Sequence, residues 1–504
     1  MPLKTVPGLA ADYDAQLQRM ALMVPVNGLD RSVTLIKSPE PDMPRVDPAA
    51  QLAGLALNYD LYGQRSSGVG NTSSLSGWSE LRLLGVGSGV WSNTMVSRAA
   101  SGIGAESQRG TVRLDTQWQR NFQDSMVSLT VGDTDTGAVS WSRATRIGGI
   151  RLARNFSLQP YRITAPLASM QGEAVLPSTV DLYINGMRQS SQQVQPGQFM
   201  LEGIPSFNGL GQAQMVITDI NGQRRTVSVP LYGSVQLLQT GLADWSLDLG
   251  KVRRDYGLRS SSYSGQTMAS ATGRYGWSDQ VTLEAHSEAN ADVRQLGAGG
   301  AWLLGNRAGV MNAALAASQS EGQTGYQENW GYQWSSSVFS VGLNSLRRDS
   351  NYRDVASMYG ATLARGSDQA FVGANTPWGS WGAGLVRQQY ADGSQARYAN
   401  LSWSRQLPLN ANLNVSAIRS LDGARSTSLY VSLSMPLDRY LSLSSSLRHS
   451  PGQQSAVVGA TRAIPSDEGG WGWRAETGLG DSRSAQAQVS QLGSYGQWTA
   501  GMSY

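Results

Sequence analysis

The sequence predicts an all-β protein, a large transmembrane antiparallel β-barrel of about 24 strands with a small β-sandwich inserted into it. Three observations lead there: short segments of strict apolar–polar alternation, charges confined to the ends of those segments, and one central stretch of different texture between two strand-rich regions. Composition agrees. Only 15% of the 504 residues are charged, Gly reaches 58, and there are 15 Trp and 19 Tyr. A barrel in lipid uses few charges because one face of each strand meets hydrocarbon and the other a wet lumen. No apolar run is long enough for a transmembrane helix.

In chain order, four regions separate. Residues 1–53 hold a short apolar stretch, Met20 to Val24, and then a proline-rich run (Pro39, Pro41, Pro44, Pro48) that reads as an extended linker. So few apolar groups make a poor independent core, and a tail is expected. The N-terminus lacks the basic-then-apolar pattern of a secretory signal. Residues 54–165 read as the first part of the barrel, about six strands, and 236–504 as the second, about eighteen at a spacing of roughly fifteen residues. An even total is expected from up-and-down closure, and closure from the cost of leaving backbone groups unpaired in hydrocarbon. Residues 166–235 are the insertion.

The strand reading rests on runs such as Leu429-Tyr430-Val431-Ser432-Leu433-Ser434-Met435, whose odd positions are all apolar. Leu441 to Ser444, Asn412 to Ala417 and Asn400 to Ser404 repeat the scheme, with turn dipeptides Asp392-Gly393, Asp422-Gly423 and Pro451-Gly452 between runs. A soluble sandwich could share that alternation. Charge placement separates the two: Arg405, Arg419 and Arg448 sit at segment ends, where an arginine costs little, whereas at the bilayer midplane it costs roughly 2–4 kcal/mol. Trp378, Trp381, Tyr390, Tyr398 and Trp498 also lie near segment ends, as interfacial girdles require. A barrel this wide has a lumen that side chains cannot fill, so something should plug it.

The insertion, clearest over 172–232, supplies a candidate. Val180, Leu182 and Ile184 alternate up to an Asn185-Gly186 turn. Phe199 and Leu201, Met215 and Ile217, and Val227 and Val229 form further pairs, giving five or six short strands. Its charges, among them Asp181, Arg188 and Glu202, suit a water-exposed surface.

Two stretches carry a family resemblance. Leu57-Asn58-Tyr59-Asp60-Leu61-Tyr62-Gly63-Gln64-Arg65 resembles the strand that opens the translocation barrel of fimbrial outer-membrane ushers. The run Val180 to Gly186, then Val194, Pro196-Gly197, Phe199 and Leu201, then Asp219 and Gly222, is similar to that family's middle, or plug, domain. The barrel strands match by pattern alone. The resemblance implies an outer-membrane pore that exports pilus subunits delivered by a periplasmic chaperone and gated by the plug. Subunits would be joined by strand addition without nucleotide hydrolysis. It further implies that chaperone–pilin complexes and outer-membrane lipid are the partners; homo-oligomerisation stays open. Residues 12–46 resemble only the tail of the family's N-terminal periplasmic domain, and the last strand falls at Tyr504, so the core of an usher is expected rather than all of it.

Catalytic chemistry is not expected. With no Cys and two distant histidines, His286 and His449, the residues offer no thiolate site and no nucleophile elbow. Glycine-rich Gly297-Ala298-Gly299-Gly300 lacks a phosphate-loop lysine, and its glycines are expected to permit curvature or close packing against a plug. Asp133-Thr134-Asp135 reads as a solvated turn, and Arg347-Arg348-Asp349 with Arg353 and Asp354 as a loop between strands. A net charge of +4 with scattered basic residues gives no nucleic-acid footprint, and no cofactor or metal is called for. The competing readings are a passive diffusion porin and, further off, a secreted β-rich adhesin.

Overall fold

The computed structural model describes residues 10–14, 19–23, 34–37, 53–66, 71–101, 109–160, 162–166, 168–174, 178–184, 187–194, 197–204, 209–219, 224–234, 236–305, 307–360, 362–422, 426–465, 469–481 and 483–504. Two compact units emerge. One comprises Met1–Asp42, Leu167–Phe207 and Gly211–Leu231; the other comprises Met43–Pro166, Asn208–Leu210 and Tyr232–Tyr504.

The strands follow in chain order. Three precede the barrel: Ala10–Asp14 (β1), Arg19–Met23 (β2) and Thr34–Lys37 (β3). The first barrel group is Gly54–Ser66 (β4), Thr72–Val86 (β5), Gly89–Ser101 (β6), Gly110–Phe122 (β7), Val127–Asp135 (β8) and Arg146–Arg154 (β9). The insertion holds Ala168–Ala174 (β10), Ser178–Ile184 (β11), Met187–Val194 (β12), Gly197–Ile204 (β13), Gly209–Asp219 (β14) and Arg224–Gly233 (β15). The second group begins with Ala243–Arg253 (β16), Tyr263–Ser278 (β17), Val281–Ala289 (β18), Val293–Leu303 (β19), Val310–Ser320 (β20), Gln323–Ser335 (β21), Phe339–Arg348 (β22) and Gly366–Thr376 (β23). It continues with Gly379–Gln389 (β24), Gln395–Gln406 (β25), Asn412–Ser420 (β26), Thr427–Pro436 (β27), Leu441–Ser450 (β28), Gln453–Arg462 (β29), Trp471–Gly480 (β30), Ser484–Gly493 (β31) and Gly496–Ser503 (β32).

β4 to β9 and β16 to β32 close into one barrel of 23 strands, with β9 paired directly to β16 across the insertion. The first group has the six strands expected; the second has one fewer than the spacing suggested, and the total is odd rather than even. The reason is chain length used elsewhere. Residues 254–262 and 349–365 form long connections, and dividing the chain by an average spacing converts that length into a strand. An odd ring cannot alternate throughout. Every joint from β4 through β9 to β16 and on to β32 is antiparallel, so β32 and β4, the neighbours that meet where the ring closes, run in the same direction.

The polarity of the wall is that of a membrane barrel. Along β16 to β21, the buried face carries Asp248, Thr282, Glu284, His286, Glu288, Gln295, Gln327 and Asn329. The opposite face carries Leu247, Leu249, Leu283, Leu296, Leu315, Tyr326 and Trp330, all exposed. Exposed apolar rows and a buried polar side are the reverse of a water-soluble core, and they fit lipid outside and a polar lumen inside. Pairing registers carry this facing around the ring. Gln327 opposes Arg348, Gln369 opposes both Asn344 and Val386, and Tyr398 opposes Val386 and Ser420, which puts Leu385, Leu401, Leu429, Val431 and Leu433 on the outward face. The Pro451-Gly452 connection is the tight reversal expected, with Gly452 at φ 76°.

The smaller unit has two sheets, one ordered β12-β11-β14-β15 and the other β10-β13-β3, and a separate antiparallel pair β1-β2. Val180 opposes Ile217 and Leu182 opposes Met215 in the first sheet; Met170 opposes Leu201 in the second. All six join Phe199, Ala174, Val194 and Ala213 in one buried cluster shared by both sheets, which makes the unit a sandwich. Each fully buried Val, Leu, Ile, Met or Phe side chain there contributes roughly 1.5–3 kcal/mol. Thr34–Lys37, in a stretch read from sequence as tail and linker, pairs in parallel with β13.

Candidate translocation pore

Two connections fold back onto the luminal side of β16 to β21. The first, 136–145, joins β8 to β9, and the second, 349–365, joins β22 to β23. Trp141 anchors the first. Its indole Nε1 donates to Glu284 Oε2 at 3.1 Å, its carbonyl accepts from Gln327 Nε2 at 2.8 Å, and its ring stands edge-on to His286 at 6.1 Å. The Gly137 amide donates to Asp248 at 3.0 Å. Glu284 is held in turn by Arg274, at 3.0 Å. These strand carboxylates work as luminal acceptors for the connection, so their burial is matched by hydrogen bonds.

The second connection docks beside the first. The Val355 amide donates to Glu288 at 2.6 Å and the Arg353 amide to Ser318 at 2.9 Å. Val355 is fully buried among Ile147, Val252, Met268 and Val293. Tyr352 joins Val139, Trp141, Ala314 and Ala316 in another apolar cluster. Burial, reinforced by Asp354, pushes its phenol up to about 12. The connections also grip each other: Arg143 donates to both oxygens of Asp354, at 2.7 and 2.5 Å. A bidentate pair fixes orientation as well as distance.

Glycines make the close approach of these segments workable. A Cβ on Gly297 would lie 2.6 Å from the Trp141 ring, and one on Gly325 would lie 2.1 Å from the Tyr352 amide nitrogen. The sequence reading expected the glycines of Gly297 to Gly300 to permit curvature or close packing against a plug; Gly297, like Gly325, packs closely against one of the barrel's own inward connections. Other expectations change as well. Asp133 and Asp135 lie in β8 rather than in a solvated turn. Asp133 is buried and ion-paired with Arg113 and Arg253, and Asp135 pairs with Arg146. Alternation fails to reveal this because Arg113 comes from β7 and Arg253 from β16, far along the chain. His286 lies on the luminal face and is buried, with Thr272 2.9 Å from Nδ1. Arg347 and Arg348 end β22, and the rest of that charge cluster lies in the connection, as expected.

The opposite arc of the lumen, from β24 to β32, is lined chiefly by small hydroxyls and amides. Ser402 opposes Ser416, Ser432 opposes Ser446, and Ser490 Oγ lies 2.9 Å from Thr499 Oγ1. Few charges reach this face; Arg448, Arg474 and Glu476 are among them.

Of the residues singled out from sequence, Val180, Leu182, Phe199 and Leu201 are core positions of the sandwich. Ile184 and Asp219 end β11 and β14, and Gly197 begins β13. Asn185, Gly186, Pro196 and Gly222 lie outside the described residues. Asn58, Tyr59, Asp60 and Gly63 all lie in β4. Asn58 faces the lumen and donates to Glu80 at 2.9 Å; by alternation Asp60 shares its face and Tyr59 points outward. Among the described residues, no group of three or more His, Asp or Glu is placed to hold a metal.

Known proteins share this architecture. The chain is 29% identical over 300 residues to the outer membrane usher protein FaeD of Escherichia coli, covering 59% of this chain and 33% of that protein. It is 23% identical over 545 residues to the usher YraJ of Escherichia coli K12, covering 99% of this chain and 60% of that one. The chain thus spans between a third and three fifths of these relatives. The translocation pore of the P pilus usher PapC matches with a TM-score of 0.56 at 19% identity, over 89% of this chain and 96% of that one. PapC in the E. coli P pilus tip assembly intermediate PapC-PapD-PapK-PapG matches with a TM-score of 0.67 at 18% identity, over 96% of this chain and 62% of that one. These two likenesses show the fold. The family model described as outer membrane usher protein matches residues 86–504, most of the chain, and the chain belongs to that family of outer-membrane β-barrels.

Proposed function

We propose that the chain forms the export pore through which chaperone-delivered pilus subunits cross the outer membrane, with the sandwich of β10 to β15 as its gate. The observation that carries this reading is the interruption of one closed ring between two directly paired strands, β9 and β16, by a separately cored domain. Because β9 and β16 already complete the wall, the sandwich is not needed to close it, and its removal should leave a barrel. The arc of the lumen from β24 to β32, lined chiefly by Ser, Thr, Asn and Gln, offers a folded β-domain weak, exchangeable hydrogen bonds and few charges to hold it back. The pilus proteins seen with PapC indicate the class of cargo and delivery partner. Transport on this reading is vectorial passage and strand exchange, with no catalytic step.

The test is single-channel conductance of the full chain in planar bilayers against a variant with 168–233 replaced by a short Gly-Ser linker. The full chain should be mostly silent and the variant should conduct widely and steadily. Constitutive conductance by the full chain, unchanged by the deletion, would support a diffusion porin instead.

A further inference from the structure

The outward face of the barrel treats its two rims differently. At the rim where β9 leads into the insertion, outward residues near the strand ends include Trp302, Trp381, Trp403, Trp471 and Trp498. The other rim carries the long connections 254–262 and 349–365, and in outer-membrane barrels the longer loops are extracellular. There β24 to β26 present arginine in place of Trp. Arg387 lies directly opposite Arg397, and Arg419, opposite Ala399, is one pairing step from Arg397. All three share the outward face with Leu385, Leu401 and Val415, so they sit just beyond the hydrocarbon band.

Like charges directly opposite on adjacent strands destabilise a sheet unless an anion lies between them. The protein supplies only part of that anion. Asp422 holds Arg397 at 2.6 Å, while Asp368 is 4.0 Å from Arg387 and is shared with Arg347 at 3.9 Å. Arg419 makes no ion pair among the described residues, and Arg387 and Arg397 have side chains about half exposed, at 48% and 50%. Guanidinium groups held on three neighbouring strands suit the several oxygens of a phosphate, and an apolar wall directly below suits acyl chains.

We propose that Arg387, Arg397 and Arg419 form a binding site for the phosphorylated sugar headgroup of an outer-leaflet glycolipid. Its acyl chains lie along the outward rows that contain Leu385, Leu401 and Val415. The site is separate from the lumen, so it anchors the pore in the leaflet and leaves passage through it unchanged.

The full chain, purified in detergent, is mixed with a bisphosphorylated diglucosamine lipid or with its dephosphorylated form, and bound lipid is counted by native mass spectrometry. The bisphosphorylated lipid should be retained at least about tenfold better. The variant R387Q/R397Q/R419Q should lose that preference, while R405Q/R462Q, at the opposite rim, should keep it. If the triple variant does not fold, Arg419→Gln alone, which breaks no ion pair among the described residues, should weaken retention several-fold. Equal retention of the two lipids overturns the proposal, as does equal loss in both sets of variants. Full displacement by inorganic phosphate at the lipid's own concentration would assign the site to free phosphate and overturn the lipid reading.

Discussion

Replacing Trp141 by alanine should release the 136–145 connection from the wall while leaving the barrel closed. The indole is 3% exposed, donates a hydrogen bond to Glu284 and packs over Gly297. Truncating a buried Trp typically costs about 3–5 kcal/mol, because the cavity cannot collapse fully onto a rigid sheet. Glu284 keeps Arg274 as a partner, so no further penalty for a bare buried carboxylate is added. The loss is local, since the barrel's strand pairing does not pass through the indole. A loss of about 3 kcal/mol corresponds to roughly a hundredfold rise in the open population of the segment. Two readouts follow. Amide exchange at Gly137, whose N–H donates to Asp248, should accelerate by about that factor, and trypsin should cut after Arg143 in the variant before it cuts the parent. Exchange at Gly137 within about threefold of the parent, with Arg143 still protected, would refute the claim that Trp141 is the anchor.

Three further outcomes are expected. Val431→Arg, on the outward face mid-strand in β27, should destabilise the folded barrel in lipid vesicles by roughly 2–4 kcal/mol, whereas Ser432→Arg on the luminal face should be near neutral; urea titration in vesicles compares them. Phe199→Ala, at a 1% exposed position shared by both sheets, should cost the sandwich about 3–5 kcal/mol and leave heat-resistant barrel migration on gels unchanged. The Tyr352 phenol has a folded value of about 12 against an ordinary 10.0, so its contribution is complete below pH 10 and lost as pH rises through 12, up to roughly 2–3 kcal/mol. The tyrosinate absorbance of the parent minus that of Tyr352→Phe should therefore have its midpoint near 12.

The barrel was legible in the sequence because its physics is local. Leu429 to Met435 shows its two faces in seven consecutive residues, and the arginines at segment ends mark the hydrocarbon boundary. The sandwich was legible for the same reason, through Val180, Leu182 and Ile184. The inward connections were not. Trp141 meets Glu284 and Gln327, and Arg143 meets Asp354, only after the ring has curved to bring those strands to one side. No periodicity encodes a partner so far along the chain. The exact strand number was hidden for a related reason: residues 349–365 are long enough for a further strand but are spent on a connection that lies against the wall.

The one joint of the hoop that breaks the alternating pattern has a kinetic consequence. Nearly all other neighbours are hairpins and can zip from a short turn, whereas β4 and β32 stand at opposite ends of the strand order and meet with like direction. Entropy delays contacts between distant stretches of chain, so this stitch should be the last one made during assembly. By the same token it is where a cylinder strained from within would first part.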